Sequence, residues 1–393
     1  MSRIRVAVIG LGAISRTAHL PLIARNAEQF ELAALVDLSA ERAAGVAARH
    51  GVPGSACFRS AAELAEAVEA GRLAVDAAIL ATAGSHGADT LRLVQAGIRV
   101  LAEKPLSYSL AELDALRDAA GSRGIDLADW VRVGYMKEYD PAVARARELL
   151  DGVELRAVRV EVMHPLDGAQ LAFAHLPAPP ADVSGDALAA ATATTAAVVD
   201  GAVGAELPAR LRTLYTNVIL GSIVHDIGVL RQLTGGLGEV RIAEHWGARM
   251  PGSLHLRGRL ARDETPWSID WHYIDGYPQY RETITFHHEH GTIELEFGVP
   301  YVLNLPTVLR VTSAEPGLGA TVSESRWMQE EAFENELQAL AALVRGERPA
   351  GASVDEAEAD VRTGQRMLRA LARSEDVPLD SRSEAGAAMY IQN

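Results

Sequence analysis

The sequence has a single cysteine, fewer basic than acidic residues and no long apolar run. Because Cys57 has no partner, an intrachain disulfide is excluded and nothing requires an oxidising compartment. The 37 basic residues are set against 52 acidic ones, and a net charge of −15 would repel nucleic acid and anionic lipid. No stretch reaches the roughly eighteen apolar residues of a membrane span, and no signal peptide precedes the first strand. We therefore expect a cytoplasmic protein with no nucleic-acid or membrane partner.

The length of 393 residues exceeds what one hydrophobic core usually organises. The composition, 48% hydrophobic and 23% charged, is that of an ordinary globular protein, which argues against disorder and fibrous repeats. We expect two domains, over residues 1–130 and 131–393, and the C-terminal helices are free to pack back on the first domain.

The first 130 residues alternate strand-like and helix-like segments. Strands are predicted at 4–9, 31–36, 75–81 and 98–102. Three helices of this region begin at serine N-caps, Ser39, Ser60 and Ser109. Another helix begins near Ala13 and carries Pro21, which should end or kink it because proline lacks the backbone donor. This alternation predicts a mainly parallel sheet covered by helices, a Rossmann-type α/β domain.

The second part of the chain has a different pattern. Residues 158–162 alternate valine with charged residues, and further strand-like runs fill 240–309, which predicts an α+β domain with an open, largely antiparallel sheet. Trp267, Trp271 and Tyr273 indicate a sheet face that needs covering, so we expect a homodimer or homotetramer. Two closing helices are predicted at about 330–345 and 353–373.

For residues 177–205 the sequence allows more than one interpretation. Proline and small polar residues give way to alanine and threonine, which indicates a loop followed by a helix. Such a composition suits a mobile lid and a disordered insertion equally well, so the role of this stretch stays open. The run His287-His288-Glu289-His290 offers only two histidines on one strand face, and we expect no metal site.

The first candidate site is the turn Gly10-Leu11-Gly12-Ala13-Ile14-Ser15, a G-x-G-x-x-G pattern with serine in the last place. It follows a strand and opens a helix, so its backbone can approach a pyrophosphate. Asp37, at the end of the second strand, can accept hydrogen bonds from both ribose hydroxyls and would repel a 2′-phosphate. The pattern therefore favours NAD. The predicted contacts are Gly10, Gly12, Ala13, Ile14 and Asp37.

A second group of polar residues follows two later strands. It comprises the run Thr82-Ala83-Gly84-Ser85-His86 and the run Glu103-Lys104-Pro105. Ligands of doubly wound sheets bind at the carboxyl edge where these strands end, so Thr82, His86, Glu103 and Lys104 join the predicted cofactor contacts.

Taken together, these motifs resemble the Gfo/Idh/MocA oxidoreductase family, whose members mostly oxidise or reduce sugars, inositols and related compounds, and the resemblance covers essentially the whole chain. It implies that Lys104 lies near the nicotinamide and the reacting hydroxyl. It also implies that His225, within a helix over 221–231, takes part in proton transfer. Tyr139, His164 and Asp226 are candidate substrate contacts.

The chain departs from the family pattern at four places. Aspartates that relatives carry near the histidine are replaced by Gly221 and Gly228, the usual asparagine near the nicotinamide by Met136, and a common proline by Ala83. These changes leave the nucleotide motifs intact and affect the proton relay and the substrate class.

The resulting hypothesis is hydride transfer between NAD and a secondary alcohol or ketone of a sugar, inositol or sugar-derived substrate. Two alternatives stay open. In one, NAD is retained and transient oxidation enables elimination, hydrolysis or epimerisation of a glycoside. In the other, the protein is a non-catalytic NAD-binding sensor.

Overall fold

The computed structural model describes residues 2–178, 180–247, 249–315, 317 and 319–391. The chain forms two compact units. The first comprises Met1–Tyr135, Ala174–Ala202 and Glu336–Glu358, and the second comprises Met136–Phe173, Val203–Asn335 and Ala359–Asn393. The division at Tyr135 lies close to the boundary expected at residue 130, but two later segments also belong to the first unit.

The first unit contains a six-stranded parallel sheet. Its strands are β1 (Ile4–Ile9), β2 (Phe30–Val36), β3 (Cys57–Phe58), β4 (Ala77–Leu80), β5 (Arg99–Glu103) and β6 (Val131–Gly134). They lie in the order β3-β2-β1-β4-β5-β6. The order reverses between β1 and β4, and doubly wound sheets bind ligands in the crevice at that point.

The second unit contains an eight-stranded sheet. Its strands are β7 (Leu155–His164), β8 (Leu237–Trp246), β9 (Ser253–Leu260), β10 (Pro266–Tyr273), β11 (Arg281–His288), β12 (Gly291–Phe297), β13 (Val308–Glu315) and β14 (Gly319–Ser325). The order is β14-β13-β12-β11-β7-β10-β9-β8, and every neighbouring pair is antiparallel except β7 with β10. The predicted fold class is confirmed.

Thirteen α-helices are described within the residues given above. They are α1 (Leu20–Arg25), α2 (Ala40–His50), α3 (Ala61–Glu69), α4 (Gly87–Gln95), α5 (Leu110–Gly121), α6 (Pro141–Leu150), α7 (Asp167–Leu171), α8 (Gly185–Val203), α9 (Ala209–Thr213), α10 (Val224–Thr234), α11 (Ala332–Val344), α12 (Val354–Ser374) and α13 (Glu384–Ile391). Ser39, Ser60 and Ser109 cap α2, α3 and α5 through their side chains, as predicted.

Pro21 does not end the helical run, but the run is irregular there, as expected of a proline. A π-helical turn, Ser15–His19, directly precedes α1, and Pro21 is the second residue of α1. Because the backbone stays helical through His19, this distorted turn lies where the proline ring lacks a donor and crowds the preceding turn.

The helical run Ala209–Thr234 has the length and mean hydropathy, 1.3, of a membrane span. Its most apolar window is 67% buried inside the protein, a share also found for core helices of soluble proteins. It consists of α9, a ten-residue π-helix (Leu214–Ile223) and α10.

We expected an oligomer because aromatic residues would leave a sheet face to cover, and this reason is wrong. Trp267 and Trp271 are buried, with 2% and 3% of their surface exposed. The opposite face of the sheet is polar, and Arg281 there pairs with Glu161 on the neighbouring strand at 2.7 Å. The expectation of an oligomer therefore cannot rest on an exposed aromatic patch.

Candidate functional site

The turn after β1 has the geometry of a dinucleotide cradle. Gly10 has φ +84°, and a Cβ there would lie 2.6 Å from the carbonyl oxygen of Ala81, so only glycine fits. A Cβ at Gly12 would meet nothing within 4 Å, so packing of the chain itself does not require this glycine. The space fits the close approach of a pyrophosphate to the backbone. Ser15 Oγ, in the last position of the pattern, donates to Gly10 O at 2.5 Å.

The other predicted contacts in this region lie at the same edge of the sheet. Ala13 and Ile14 are the first helical residues after the turn, where backbone amides attract an anion. Thr82 follows β4, the strand next to β1, and Lys104 follows β5. Both are partly exposed, and the Lys104–Pro105 peptide bond is cis.

Asp37 is held by the backbone on both sides of its carboxylate. Oδ2 accepts from the amide of Leu11 and Oδ1 from the amide of Ser39, each at 2.9 Å. Each oxygen keeps further acceptor capacity for a ribose hydroxyl. Arg42 Nη1 lies 3.2 Å from Oδ2. This arginine lies in the first turn of α2.

His86 lies against the backbone of the neighbouring loops. Its Nδ1 is 2.8 Å from the carbonyl oxygen of Glu103, and its Nε2 is 2.9 Å from that of Thr82. With 1% of its surface exposed, the ring joins the ends of β4 and β5. These interactions indicate that the His86 ring shapes the turn. The expected contact between His86 and the cofactor stays a prediction.

Glu103 is paired with a histidine from the first helical segment. His19 Nε2 lies 2.8 Å from Glu103 Oε1, and one potential ligand atom of each of His19, Glu103 and Glu336 lies within 4.8 Å of the other two. Among the residues the structure describes, this is the one group of three potential metal ligands, and the run 287–290 forms none. The hydrogen bond between His19 and Glu103 holds this pair together without an ion, and the expectation of no metal stays a prediction. We infer that His19 positions Glu103, the neighbour of Lys104.

The segment Ala174–Ala202 extends along the carboxyl edge of the first sheet. Near its start, Asp182 Oδ1 accepts from Ser39 Oγ at 2.6 Å, and Oδ2 accepts from the amide of Glu41 at 3.0 Å. The segment therefore contacts the N-terminus of α2, beside Asp37. The sequence left its role open because contacts this distant along the chain leave no local pattern.

The same segment has a second contact in α8. Thr195 Oγ1 accepts from the amide of Ser85 at 3.0 Å, in the turn after β4. Gly84, with φ +101°, makes room for it, because a Cβ there would lie 2.4 Å from Thr195 Oγ1. Since β1 lies between β2 and β4, the segment runs from one neighbour of the Gly10 turn to the other.

In the second unit, His225 lies in the first turn of α10, directly after the π-helix. A Cβ at Gly221 would lie 3.0 Å from the carbonyl oxygen of Thr216, so the π-helical backbone crowds any side chain at this position. Tyr139 ends a 3₁₀ helix, Met136–Tyr139, and its carbonyl accepts from Asn335 Nδ2 at 3.0 Å.

The neighbour of His225, Asp226, belongs to a buried charged cluster. Its carboxyl is in hydrogen-bonding contact with Glu282 on β11, and Glu282 also binds the Lys137 ammonium and the Tyr280 hydroxyl, the latter at 2.5 Å. Burial, followed by the Glu282 charge, raises the pKa of Asp226 well above its usual range. Burial opposes ionisation of Glu282, but Lys137 and the surrounding hydrogen bonds outweigh it and hold the pKa of Glu282 below normal.

Sequence reasoning missed Lys137, Tyr280 and Glu282. One signal was present: Glu282, Ile284 and Phe286 alternate along β11 and share its buried face. A glutamate at an inward position of a strand predicts a buried partner of opposite charge.

Four rings gather where β7 and β10 end and β11 begins: His164, Trp271, Tyr273 and Tyr280. The His164 ring centroid lies 5.4–5.7 Å from the other three. Trp271 Nε1 donates to Ser222 Oγ at 3.0 Å, one helical turn before His225. The structure thus brings His164, His225 and Asp226 to one end of the second sheet.

Comparison with known proteins gives the family. Residues 4–128 match the model of an oxidoreductase family with an NAD-binding Rossmann fold, GFO_IDH_MocA. Over these residues the chain is similar to the Gfo/Idh/MocA family. The family description confirms NAD as the cofactor expected from the Gly10 turn.

Relatives within the Gfo/Idh/MocA family include inositol dehydrogenases. The chain is 33% identical over 149 residues to inositol 2-dehydrogenase 3 of Saccharopolyspora erythraea, covering 38% of this chain and 40% of that protein. It is 33% identical over 82 residues to a scyllo-inositol 2-dehydrogenase (NAD(+)) of Bacillus subtilis, covering 21% and 23%. The matched region spans about two fifths of the length of the first of these relatives.

Solved structures show a similar fold over nearly the whole chain. Scyllo-inositol dehydrogenase of Lactobacillus casei, with bound NAD(H) and scyllo-inositol, superposes with a TM-score of 0.64 at 16% identity and covers 95% of this chain and 98% of that one. Aldose-aldose oxidoreductase of Caulobacter crescentus, complexed with glycerol, gives 0.65 at 18% identity with the same coverage. At such identities the likeness establishes the fold.

Proposed function

We propose that this protein transfers hydride between NAD and a secondary alcohol or ketone of a cyclic polyol or sugar. The observation that carries the substrate class is the ring group beside His225: His164, Trp271, Tyr273 and Tyr280. Aromatic faces pack against the C–H faces of sugar and inositol rings, while neighbouring hydroxyl and imidazole groups bind their hydroxyls. The inositol dehydrogenases among the relatives support the same class.

The roles of the chain's own residues follow from their chemistry. Bound NAD supplies the redox step. Lys104 and His225 are proposed to hold and transfer the proton of the reacting oxygen, and the lysine charge would favour the developing alkoxide. The chain contains two lysines, Lys104 and Lys137, and uses arginine at its other 35 basic positions. A compact ammonium that can transfer a proton is what arginine does not provide.

The buried cluster gives Asp226 and Glu282 a positioning role in this proposal. The Asp226 carboxyl interacts with Glu282, which joins the first turn of α10 to β11. Because His225 is the neighbour of Asp226 in that turn, the contact is proposed to help position it. Tyr139 and His164 are proposed substrate contacts. Asp226 is buried, so it is proposed to affect the substrate only through the groups that it orients.

We extend the proposal to a cytoplasmic homodimer or homotetramer with a small sugar-like substrate and no nucleic-acid or membrane partner. The polar, ion-paired outer face of the second sheet is the surface we assign to subunit contact. Light scattering at micromolar concentration tests the assembly, and a monomer there would refute it.

An absorbance screen at 340 nm with NAD and a panel of inositols, sugars and nucleotide sugars tests the function, with mass spectrometry of the products. We expect NADH formation with at least one cyclic polyol or sugar. Product formation without net NADH would indicate the NAD-retaining mechanism, and binding of NAD without any product across the panel would indicate the sensor.

The segment Ala174–Ala202 favours the NAD-retaining mechanism as second candidate. Its contacts at Asp182 and Thr195 span the turn that binds the pyrophosphate. A cofactor bound beneath it would dissociate only when one of these contacts opens. Measuring NAD bound to the purified protein after gel filtration tests this, and loss of all NAD at the first passage would count against it.

A further inference from the structure

The N-terminus of α2 is the place where a Rossmann domain would bind the 2′-phosphate of NADP, since it follows the residue that contacts the ribose. In this chain the donors of that helix end are already bound. Ser39 Oγ and the amide of Glu41 both donate to Asp182. Asp182 comes from the segment Ala174–Ala202, far away in sequence.

We propose that Asp182 is a second determinant of cofactor specificity, a carboxylate that occupies the 2′-phosphate position and so excludes NADP. The proposal rests on the placement of NAD along the Gly10 turn and Asp37. Hydrogen bonds from Ser39 and Glu41 lower the pKa of Asp182, so the group is anionic at neutral pH. A 2′-phosphate would have to displace one anion and approach another, Asp37.

Cations near Asp37 make this second carboxylate necessary. Arg42 contacts Asp37 at 3.2 Å, and the lowered pKa of Arg16 reflects burial followed by the charges of Arg49 and Arg42. The Arg42 guanidinium therefore lies beside Asp37, where it could attract a phosphate. With Asp37 alone as the excluding charge, NADP would find a helix N-terminus and this arginine to bind. Asp182 removes the first of these.

The segment that carries Asp182 also has a second contact, at Thr195. The two contacts lie at the β2 and β4 ends of the sheet edge. Asp182 is itself held by hydrogen bonds from Ser39 and from the amide of Glu41.

Titration calorimetry of the full-length protein with NAD⁺ and with NADP⁺ tests the proposal. The variants are Asp182→Ala, Asp182→Asn and Asp37→Ala. The control is Asp186→Asn, which changes the same charge at an exposed position four residues along the segment. We expect Asp182→Ala to strengthen NADP⁺ binding by about tenfold at low salt, with NAD⁺ affinity changed much less. Asp182→Asn should give much of this gain, and Asp186→Asn almost none.

Several results would overturn the inference. Equal changes for both nucleotides would mean that Asp182 only restrains the segment, and an equal effect of Asp186→Asn would mean that net charge alone is responsible. If instead Asp37→Ala leaves binding of both nucleotides unchanged, the placement of the cofactor itself is wrong, and the proposed function fails with it. If Asp37→Ala changes nucleotide binding but both Asp182 variants leave NADP⁺ binding unchanged, only the role of Asp182 is refuted.

Discussion

The carboxyl of Asp226 on α10 and the carboxyl of Glu282 on β11 are in contact inside the second unit, where each side chain has 1% of its surface exposed. Two adjacent buried carboxylates repel each other, so the pair holds one proton. Lys137 and Tyr280 stabilise the charge on Glu282, which leaves the proton on Asp226. A neutral Asp226 can then donate a hydrogen bond to Glu282.

The raised pKa of Asp226 makes stability depend on pH. The folded protein keeps a proton that the unfolded chain releases above about pH 4, so the stability present below that pH is lost as pH rises toward the folded pKa. Asp226→Asn cannot ionise and escapes this loss. We compare the urea midpoints of unfolding of the variant and of wild type, followed by tryptophan fluorescence. The difference between them, variant minus wild type, should increase as the pH is raised from 4 to 8. A constant difference, or the same trend in Asp186→Asn, would contradict the shared proton.

Lys137 provides the positive charge of this cluster, and its ammonium also lies 4.6 Å from the centre of the Phe297 ring. Lys137→Met should destabilise the protein by about 3–5 kcal/mol, because it leaves Glu282 charged and unpaired in the interior. Urea unfolding measures the loss. Adding Glu282→Gln should restore part of it, since the uncompensated charge is then removed. If the double variant is as unstable as the sum of the two single ones, the pair is not coupled.

The two lysines allow a direct test of the cofactor position. We expect NAD to slow acetylation of Lys104 by acetic anhydride several-fold, because the proposed nicotinamide site covers its ammonium. Mass spectrometry of the peptides measures both lysines at once. Lys137, with 4% of its surface exposed, should stay unreactive with or without NAD and so serves as internal control. Equal labelling of Lys104 in both states would remove it from the cofactor site.

Lys104→Ala and His225→Ala should each lower turnover by roughly a hundredfold to ten-thousandfold, the usual contribution of a positioned acid or base. NAD binding should change little, because Asp37 and the Gly10 turn hold the nucleotide. Steady-state kinetics and calorimetry separate the two effects. His164→Ala is a useful comparison, since loss of a substrate contact should raise KM more than it lowers kcat. Near-full activity of His225→Ala would mean that the proton travels by another route.

Features with a local cause could be predicted from the sequence alone. The alternating strands and helices, the serine caps and the glycine turn each depend on a few neighbouring residues, and the strand that precedes Asp37 follows from its apolar run. That is why the fold class, the family resemblance and the cofactor were within reach. The buried face of β11 was visible too, although Glu282 within it was not recognised.

Only the tertiary structure decided which distant residues meet. Glu282 reaches Asp226 because of strand register and helix placement, and a slip of one residue would turn its side chain to the other face. Asp182 contacts Ser39 across 143 residues of sequence, and no periodicity in the sequence predicts this contact. Arg42 contacts Asp37 from the first turn of α2, and the burial of Trp271 replaces the exposed face expected for it. Long-range contacts depend on the packing of whole elements, and local sequence patterns carry no record of that.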